Sequence, residues 1–405
     1  MTTLAMGLLI QDHRSTHLFC QAWCGLVLVM FGALALKTLT AVYALDALMA
    51  LTTLVVLRSS LVPALEVSIL FLIAFLGQHY LISSLDTISL YVGLEIPNLC
   101  AVLLFSLHSR STFALESALL YLLQSAFSSG LFIFGACFLF VSSGHTDWAS
   151  VLLSFGELDA GMWLISLALV WKLGSAPVHA WVVLVYRGAW THASFFISTL
   201  PKLGLFWIWQ PICQGLGWLA VLSLFLATLG AFGQPTVKPL LAYSAVGLNG
   251  LWLLSLDLGS SSALWVGFCL YLLALGFTWP LLTDPFMLYS KDWHRGIALI
   301  IAATSLAGLP PLLGFISKAS VLLAVGLEHA LVLGLALLAS MLSLLYYLYL
   351  ALLSGHAEVG SLLFRTTNSR PFNLVSVDYG TSAFLLMALL IGFWKVSGIS
   401  LTIMN

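Results

Sequence analysis

The chain alternates long apolar runs with short polar breaks. Runs of about 20 apolar residues match the hydrocarbon thickness of a bilayer, and in lipid each run must be a helix that satisfies its own backbone. The pattern therefore predicts an all-α polytopic membrane protein with thirteen transmembrane helices. They lie near residues 18–36, 41–57, 65–83, 87–107, 115–141, 162–182, 192–210, 216–233, 238–256, 263–282, 297–326, 330–353 and 381–398.

Two of these spans contain helix-breaking residues beside a lysine. Gly174 and Pro177 follow Lys172, and the run TSLAGLPPLLGFISK places two prolines and two glycines ahead of Lys318. Proline removes a backbone donor and clashes with the preceding turn, so both helices should unwind locally.

One break in each half of the chain predicts two inverted repeats, each with a discontinuous helix. The repeats would occupy residues 65–210 and 216–353. Residues 1–64 would form N-terminal helices, and residues 354–405 would form a surface link followed by the last helix.

Composition agrees with a membrane location. Of 405 residues, 61% are apolar and 7% are charged, against about 25% charged in soluble domains. A net charge of −1 gives no case for nucleic acid as a partner, whereas lipid is an expected one. The first residues lack a basic stretch and a small-residue cleavage site, so we expect no cleaved signal peptide.

Four ionisable residues lie deep within spans: Glu95, Lys172, Lys202 and Lys318. Lys172 lies about ten residues into its span, roughly 15 Å deep, where a charge costs about 2.5–3.5 kcal/mol. Central lysines on successive spans favour proton or ion handling over packing. A static buried ion pair between Glu95 and a lysine is the open alternative.

The pattern predicts that Glu95 and Lys172 lie within about 10 Å of each other, because each alone would be costly. Lys172, Lys202 and Lys318 should be connected by water rather than by direct contact, since ammonium groups repel. The nearest polar linings by sequence are Ser198, Thr199, Tyr243 and Ser244.

Weaker candidates lie beside the first break and on a neighbouring span. His179 and His192 would relay protons or would be ordinary polar helix ends. A polar strip on the span 115–141 would either pair helices or hold water; its members are Tyr121, Gln124, Ser125, Ser128 and Ser129.

The chain offers no recognisable cofactor site in its sequence. Six scattered cysteines form no C-x-x-C pair, and no histidines are spaced as facing haem ligands. We therefore expect no metal, haem, flavin or nucleotide bound within the spans.

Several segments resemble the antiporter-like subunits of respiratory complex I. They follow one another in that family's order: YVGLEIPNL, WKLGSAPVHAW, TLPKLGLF, KPLLAYSAVGLNG and TSLAGLPPLLGFISKASVL. A lysine at these positions of TLPKLGLF and GFISK is similar to the pattern of the chain 2 branch of the family rather than to that of the chain 4 and 5 branches.

The resemblance implies a proton-translocating subunit of NADH:ubiquinone reductase. Glu95 and Lys172 would form the coupling pair, Lys202 the central relay, and Lys318 would face the exit half-channel. FMN, iron–sulfur clusters and ubiquinone would belong to other subunits, and the partners would be other membrane-arm subunits. The membrane would be the mitochondrial inner membrane, with a bacterial plasma membrane as the alternative.

The chain departs from the family pattern at two places. Leu184, Arg187 and Trp190 replace the acidic residues and proline of one loop, and Leu248 stands where a histidine is usual. These departures argue against a relay role for that loop and for the span 238–256.

A free-standing cation/proton antiporter and an anchor with inert lysines are the competing functions.

Overall fold

A computed structural model describes residues 65–107, 112–154, 160–212, 217–234, 236–281, 293–310, 312–326 and 329–355. The spans predicted at 18–36, 41–57 and 381–398 lie outside these residues, as do the predicted N-terminal helices and most of the C-terminal region.

The described residues form helices joined by short links. In chain order they are α1 (Leu65–Ser83), α2 (Thr87–Leu107), α3 (Thr112–Ser143), α4 (Trp148–Ser154), α5 (Ala160–Leu173), α6 (Ala180–Gly188), α7 (Thr191–Trp209), α8 (Gly217–Phe232), α9 (Val237–Asp257), α10 (Ser261–Leu281), α11 (Trp293–Ala307), α12 (Leu313–Val325) and α13 (Ala330–Gly355).

Every span predicted between residues 65 and 353 contains a helix, and α1 and α2 begin and end at the predicted residues. One predicted end was wrong, and one helix was not predicted. The first broken span was expected to end at Val182, but its second helix, α6, continues to Gly188. The short helix α4 was not predicted, because seven residues are too few to show an apolar period.

Length and composition suffice for α2, α3, α9 and residues 330–351 of α13 to cross a bilayer. Their surroundings differ: in the most apolar 18-residue stretch of each helix, 89% of the α9 residues are buried, against 28% of the α3 residues. Helix α9 packs on α6, α8, α10, α12 and α13, and α7 packs on α1, α2, α5 and α10. Helices α7 and α9 are therefore the central elements of the described bundle.

The core between these helices is aromatic. Trp252 of α9 packs edge-to-face on Phe206 of α7 and Phe268 of α10, with ring centroids 5.6 Å and 4.7 Å away. Such contacts add about 0.5–1.5 kcal/mol per pair to the area they bury. They fix the spacing of three helices around Lys202, which lies on α7.

The first break separates α5 from α6 at the predicted position. Gly174 has φ +68° and its N–H donates to the carbonyl of Val170, which ends α5 in a left-handed cap. A Cβ at Gly174 would also clash with Cγ2 of Val182. Helix α6 starts six residues after Gly174 and leaves the carbonyls at the end of α5 without helical donors.

The second break separates α11 from α12 in the same manner. Gly308 has φ +87° and its N–H donates to the carbonyl of Ser305. A side chain at Gly308 would lie 3.1 Å from Cδ of Lys318, so glycine gives this lysine access to the end of α11.

We predict that Gly174→Ala destabilises the protein. The left-handed backbone conformation alone costs an alanine about 1–2 kcal/mol, and the clash of its Cβ with Val182 increases the loss. Thermal unfolding of the purified, assembled protein measures the loss.

Gly334→Ala is the matched control, because Gly334 lies inside α13 and a Cβ there meets no atom within 4 Å. The control should be neutral or slightly stabilising, since alanine favours helix. Equal stability of the two variants would contradict the left-handed cap at Gly174.

Candidate functional site

Glu95 and Lys172 form an ion pair between α2 and α5. Lys172 Nζ donates to Glu95 Oε1 at 2.6 Å, and the two side chains, Lys172 and Glu95, are 6% and 21% exposed respectively. The predicted proximity is therefore confirmed. Lys172 lies in the last turn of α5, where the carbonyl end of the helix dipole also favours a cation.

Polar groups of α2 and α3 support this pair. Asn98 Nδ2 donates to Glu95 Oε1 at 3.4 Å, and the Tyr121 hydroxyl donates to Asn98 Oδ1 at 3.1 Å. Next to Lys172, Trp171 Nε1 donates to Gln124 Oε1 at 2.7 Å. The predicted polar strip of α3 thus pairs helices at Tyr121 and Gln124.

Lys202 is buried in the middle of α7 and donates to a side-chain amide of α9. Its Nζ lies 2.9 Å from Asn249 Oδ1 and 5.9 Å from the centroid of the Trp252 ring. Asn249 Nδ2 in turn donates to the Leu173 carbonyl at the end of α5, also at 2.9 Å. Asn249 therefore joins Lys202 to the helix end that carries Lys172.

This contact gives α9 a part at the site that was not predicted. Leu248 had argued against a relay role for the span 238–256, and the next residue, Asn249, supplies the oxygen that Lys202 binds. An amide in the middle of an apolar span was the available signal, since polar groups there are costly.

Lys318 is buried on α12 and binds oxygens of two other helices. Its Nζ donates to the Ala307 carbonyl at the end of α11 at 2.8 Å and to Ser343 Oγ of α13 at 3.0 Å. The same ammonium lies 5.8 Å from the centroid of the Tyr347 ring. Lys318 thus caps the second broken helix, and sequence reasoning missed both Ser343 and Tyr347.

A cavity of about 30 Å³ lies between Lys172 and Lys202, and both line it. A water molecule needs roughly 10–15 Å³ of such volume, so the space is large enough for about two. The remaining polar lining consists of Gln78, Asn98, Tyr121, Gln124, Ser125, Ser128, Tyr186 and Asn249.

Gln78 of α1 is a further buried polar group in this lining. Its side chain is 0% exposed, and neither amide atom has a hydrogen-bond partner among the described residues. An orphaned buried amide costs about 1–3 kcal/mol, which a water in the cavity would offset. A glutamine well inside an apolar span was a signal that the sequence analysis did not use.

Other predicted candidates lie away from the cavity. Leu184 and Arg187 lie on the exposed side of α6. The ring of His179 lies 5.9 Å from that of Tyr243, and its buried Nδ1 has no hydrogen-bond partner in the described part of the chain. The side chain of His192 lies outside the described residues.

Residues 84–343 match the family described as NADH:quinone oxidoreductase/Mrp antiporter, TM. This match spans well over half of the chain and includes all four predicted site residues. The chain belongs to this family.

Individual members of the family cover most of the chain. NADH-ubiquinone oxidoreductase chain 2 of Chlamydomonas reinhardtii is 32% identical over 81% of this chain and 79% of its own length. NADH-quinone oxidoreductase subunit N of Jannaschia sp. is 29% identical over 83% of this chain and 75% of its own.

A solved structure shows the same fold. A chain of respiratory complex I from Thermus thermophilus superposes with a TM-score of 0.75 and 26% identity. The superposition covers 90% of this chain and 93% of that one. The resemblance drawn from the sequence motifs is therefore confirmed at the level of the family and of the all-α fold.

For this family member, we predict non-additive stability effects at the ion pair. Lys172→Met leaves the Glu95 carboxylate without its counter-charge and should destabilise the assembled protein by about 3 kcal/mol, the low end for a broken buried pair.

The double variant Glu95→Gln/Lys172→Met removes both charges and should unfold at a higher temperature than Lys172→Met alone. Thermal unfolding of the purified assembly provides the measurement. Strictly additive losses would mean that the two side chains do not interact in the assembled protein.

Proposed function

We propose that this chain is a proton-translocating membrane-arm subunit of respiratory complex I, of the chain 2 type. Electron transfer from NADH to ubiquinone in other subunits would drive protons through Glu95, Lys172, Lys202 and Lys318. The observation that carries the proposal is the buried series of lysines, each bound to oxygen atoms of other helices, with a cavity between the first two.

The Glu95–Lys172 pair is the coupling element in this proposal. While the carboxylate is charged and in contact, it balances the Lys172 ammonium. When Glu95 is protonated or drawn away, that ammonium loses its counter-charge and repels the ammonium of Lys202 across the cavity. Inside a protein this repulsion is several times stronger than in water, so it favours release of a proton from Lys202.

Lys202 and Lys318 are suited to gain and lose protons. Each is bound by neutral oxygen atoms: an amide for Lys202, and a carbonyl and a hydroxyl for Lys318. Neutral acceptors hold an ammonium less tightly than a carboxylate does. A lysine without a fixed counter-ion can therefore become an amine without leaving a second charge unpaired.

Partners and membrane follow from the same proposal. Other membrane-arm subunits would contact the chain, and lipid would cover its apolar outer faces. The mitochondrial-type relative from Chlamydomonas supports the mitochondrial inner membrane, and the Jannaschia subunit supports the bacterial plasma membrane as the alternative. The scattered cysteines support a chain that holds no redox centre of its own.

A free-standing cation/proton antiporter is the second candidate, because the family description includes the Mrp antiporters. Sodium and potassium ions prefer oxygen ligands, chiefly carboxylates and carbonyls. Glu95, the carboxylate that contacts the cavity residue Lys172, is already bound by that lysine, which favours proton handling over cation binding.

Lys202→Met tests the relay. The substitution keeps most of the side-chain volume and removes the proton site, so protons translocated per NADH oxidised should fall by this subunit's share. The orphaned Asn249 oxygen costs about 1–3 kcal/mol, so assembled complex must be quantified in the same membranes.

Lys238→Met is the matched control, because Lys238 is a partly buried lysine that donates to the Ala189 carbonyl and does not line the cavity. It should keep the normal proton yield. An unchanged yield in assembled Lys202→Met complex would refute the relay. Cation-dependent proton exchange by the chain alone in vesicles would favour the antiporter instead.

A further inference from the structure

Three buried tyrosines from three helices lie between the Lys202 cavity and Lys318. They are Tyr186 on α6, Tyr271 on α10 and Tyr347 on α13, and all three side chains are almost fully enclosed. None of them belongs to the series Glu95, Lys172, Lys202 and Lys318, so their position needs an explanation of its own.

Contacts connect the three tyrosines to both lysines. Tyr186 lines the same cavity as Lys202. The Tyr271 ring lies 5.0 Å from that of Trp252, the indole over which Lys202 lies. Its phenol is near enough to those of Tyr186, Tyr346 and Tyr347 for charges on these groups to influence one another. At the far end, the Tyr347 ring is the one that faces the Lys318 ammonium.

Two of the hydroxyls are unsatisfied. Those of Tyr186 and Tyr347 are buried and make no hydrogen bond of normal geometry to any described residue. Ser198 is a polar neighbour of the Tyr186 hydroxyl, and Ser244 and Tyr346 are polar neighbours of the Tyr347 hydroxyl. The two serine hydroxyls donate to carbonyls of their own helices at 2.7 Å. Each serine oxygen therefore remains available to accept a hydrogen bond.

Packing alone does not account for hydroxyls at these positions. A buried hydroxyl without a partner costs about 1–3 kcal/mol, whereas phenylalanine would fill nearly the same volume without that cost. Bound water is the usual partner of such groups, and a phenol can donate and accept at once.

From this arrangement we propose that Tyr186, Tyr271 and Tyr347, with bound water, form the proton path between Lys202 and Lys318. The inference rests on the proposed function and specifies its second half. Two of the linings expected from the sequence, Ser198 and Ser244, border this path. The hydroxyl of Thr199, like those of the two serines, donates to its own helix.

Each transfer along the path is a hop that leaves every phenol neutral. A proton leaves the Lys202 ammonium for the first water, and each phenol oxygen accepts a proton as its own hydroxyl proton passes to the next acceptor. The neutral Lys318 amine takes the last proton. One lysine has then lost a proton and the other has gained one, and the hydroxyls rotate back before the next transfer.

Tyr347→Phe in the assembled complex is the direct test. The proton transfer step between Lys202 and Lys318 should slow at least about tenfold, since one proton-carrying group contributes about 10²–10⁴ to a transfer step. Protons translocated per NADH oxidised should therefore fall by nearly this subunit's share. Tyr349→Phe is the matched control: Tyr349 lies two residues further along α13 and is 53% exposed, so its variant should keep the normal yield.

Tyr347→His separates proton transfer from packing. Histidine fits the pocket less well than phenylalanine but carries protons. A path predicts more translocation in the Tyr347→His variant than in the Tyr347→Phe variant, whereas a packing role predicts the reverse order. Amounts of assembled complex normalise both values.

The outcomes of these experiments are distinguishable. If Lys202→Met removes this subunit's share of translocation but Tyr347→Phe and Tyr271→Phe keep it, the tyrosine path is wrong and the proposed function stands. If Lys202→Met itself keeps translocation, the proposed function fails. For a variant that does not assemble, an experimental structure of the native complex decides: water bound to the Tyr186 and Tyr347 hydroxyls supports the path, and dry packing around both overturns it.

Discussion

Placing ammonium groups inside an apolar helix bundle is the constraint on which the rest of this structure depends. A lysine at the bilayer centre must find oxygen atoms within the protein, because lipid supplies none. Lys172 finds a carboxylate, Lys202 an amide, and Lys318 a carbonyl with a hydroxyl. Within the described part of the chain, Lys172 is the one lysine of the three with a counter-charge. Removal of that counter-charge would change the charge balance of all three lysines.

The two broken helices provide part of these oxygens. A continuous helix uses its carbonyls internally, whereas the ends of α5 and α11 present free ones in the middle of the bundle. Asn249 binds the carbonyl at the first end and Lys318 binds the carbonyl at the second. Left-handed glycines at both ends make the breaks possible, so backbone geometry and charge placement depend on each other.

The sequence was sufficient for most of the described helices and for the charged residues, and insufficient for the partners of those charged residues. Apolar runs bounded by polar breaks predicted α1 and α2 to the residue, and the depth of Glu95 and Lys172 predicted their contact. Tertiary packing alone decides which neutral side chain meets a lysine. Asn249 and Tyr347 were therefore missed, since nothing in their own spans indicates which neighbouring helix they face. The inverted-repeat relation between the two halves remains a prediction.

Water between Lys172 and Lys202 is the central claim that can be measured most directly. An experimental structure of the assembled complex, at a resolution that shows ordered water, would reveal the contents of the cavity lined by both lysines and by Gln78. The account predicts at least one water within hydrogen-bonding distance of Lys202 Nζ and of the Gln78 amide. A cavity closed by apolar side chains, with no water between the two lysines, would contradict it.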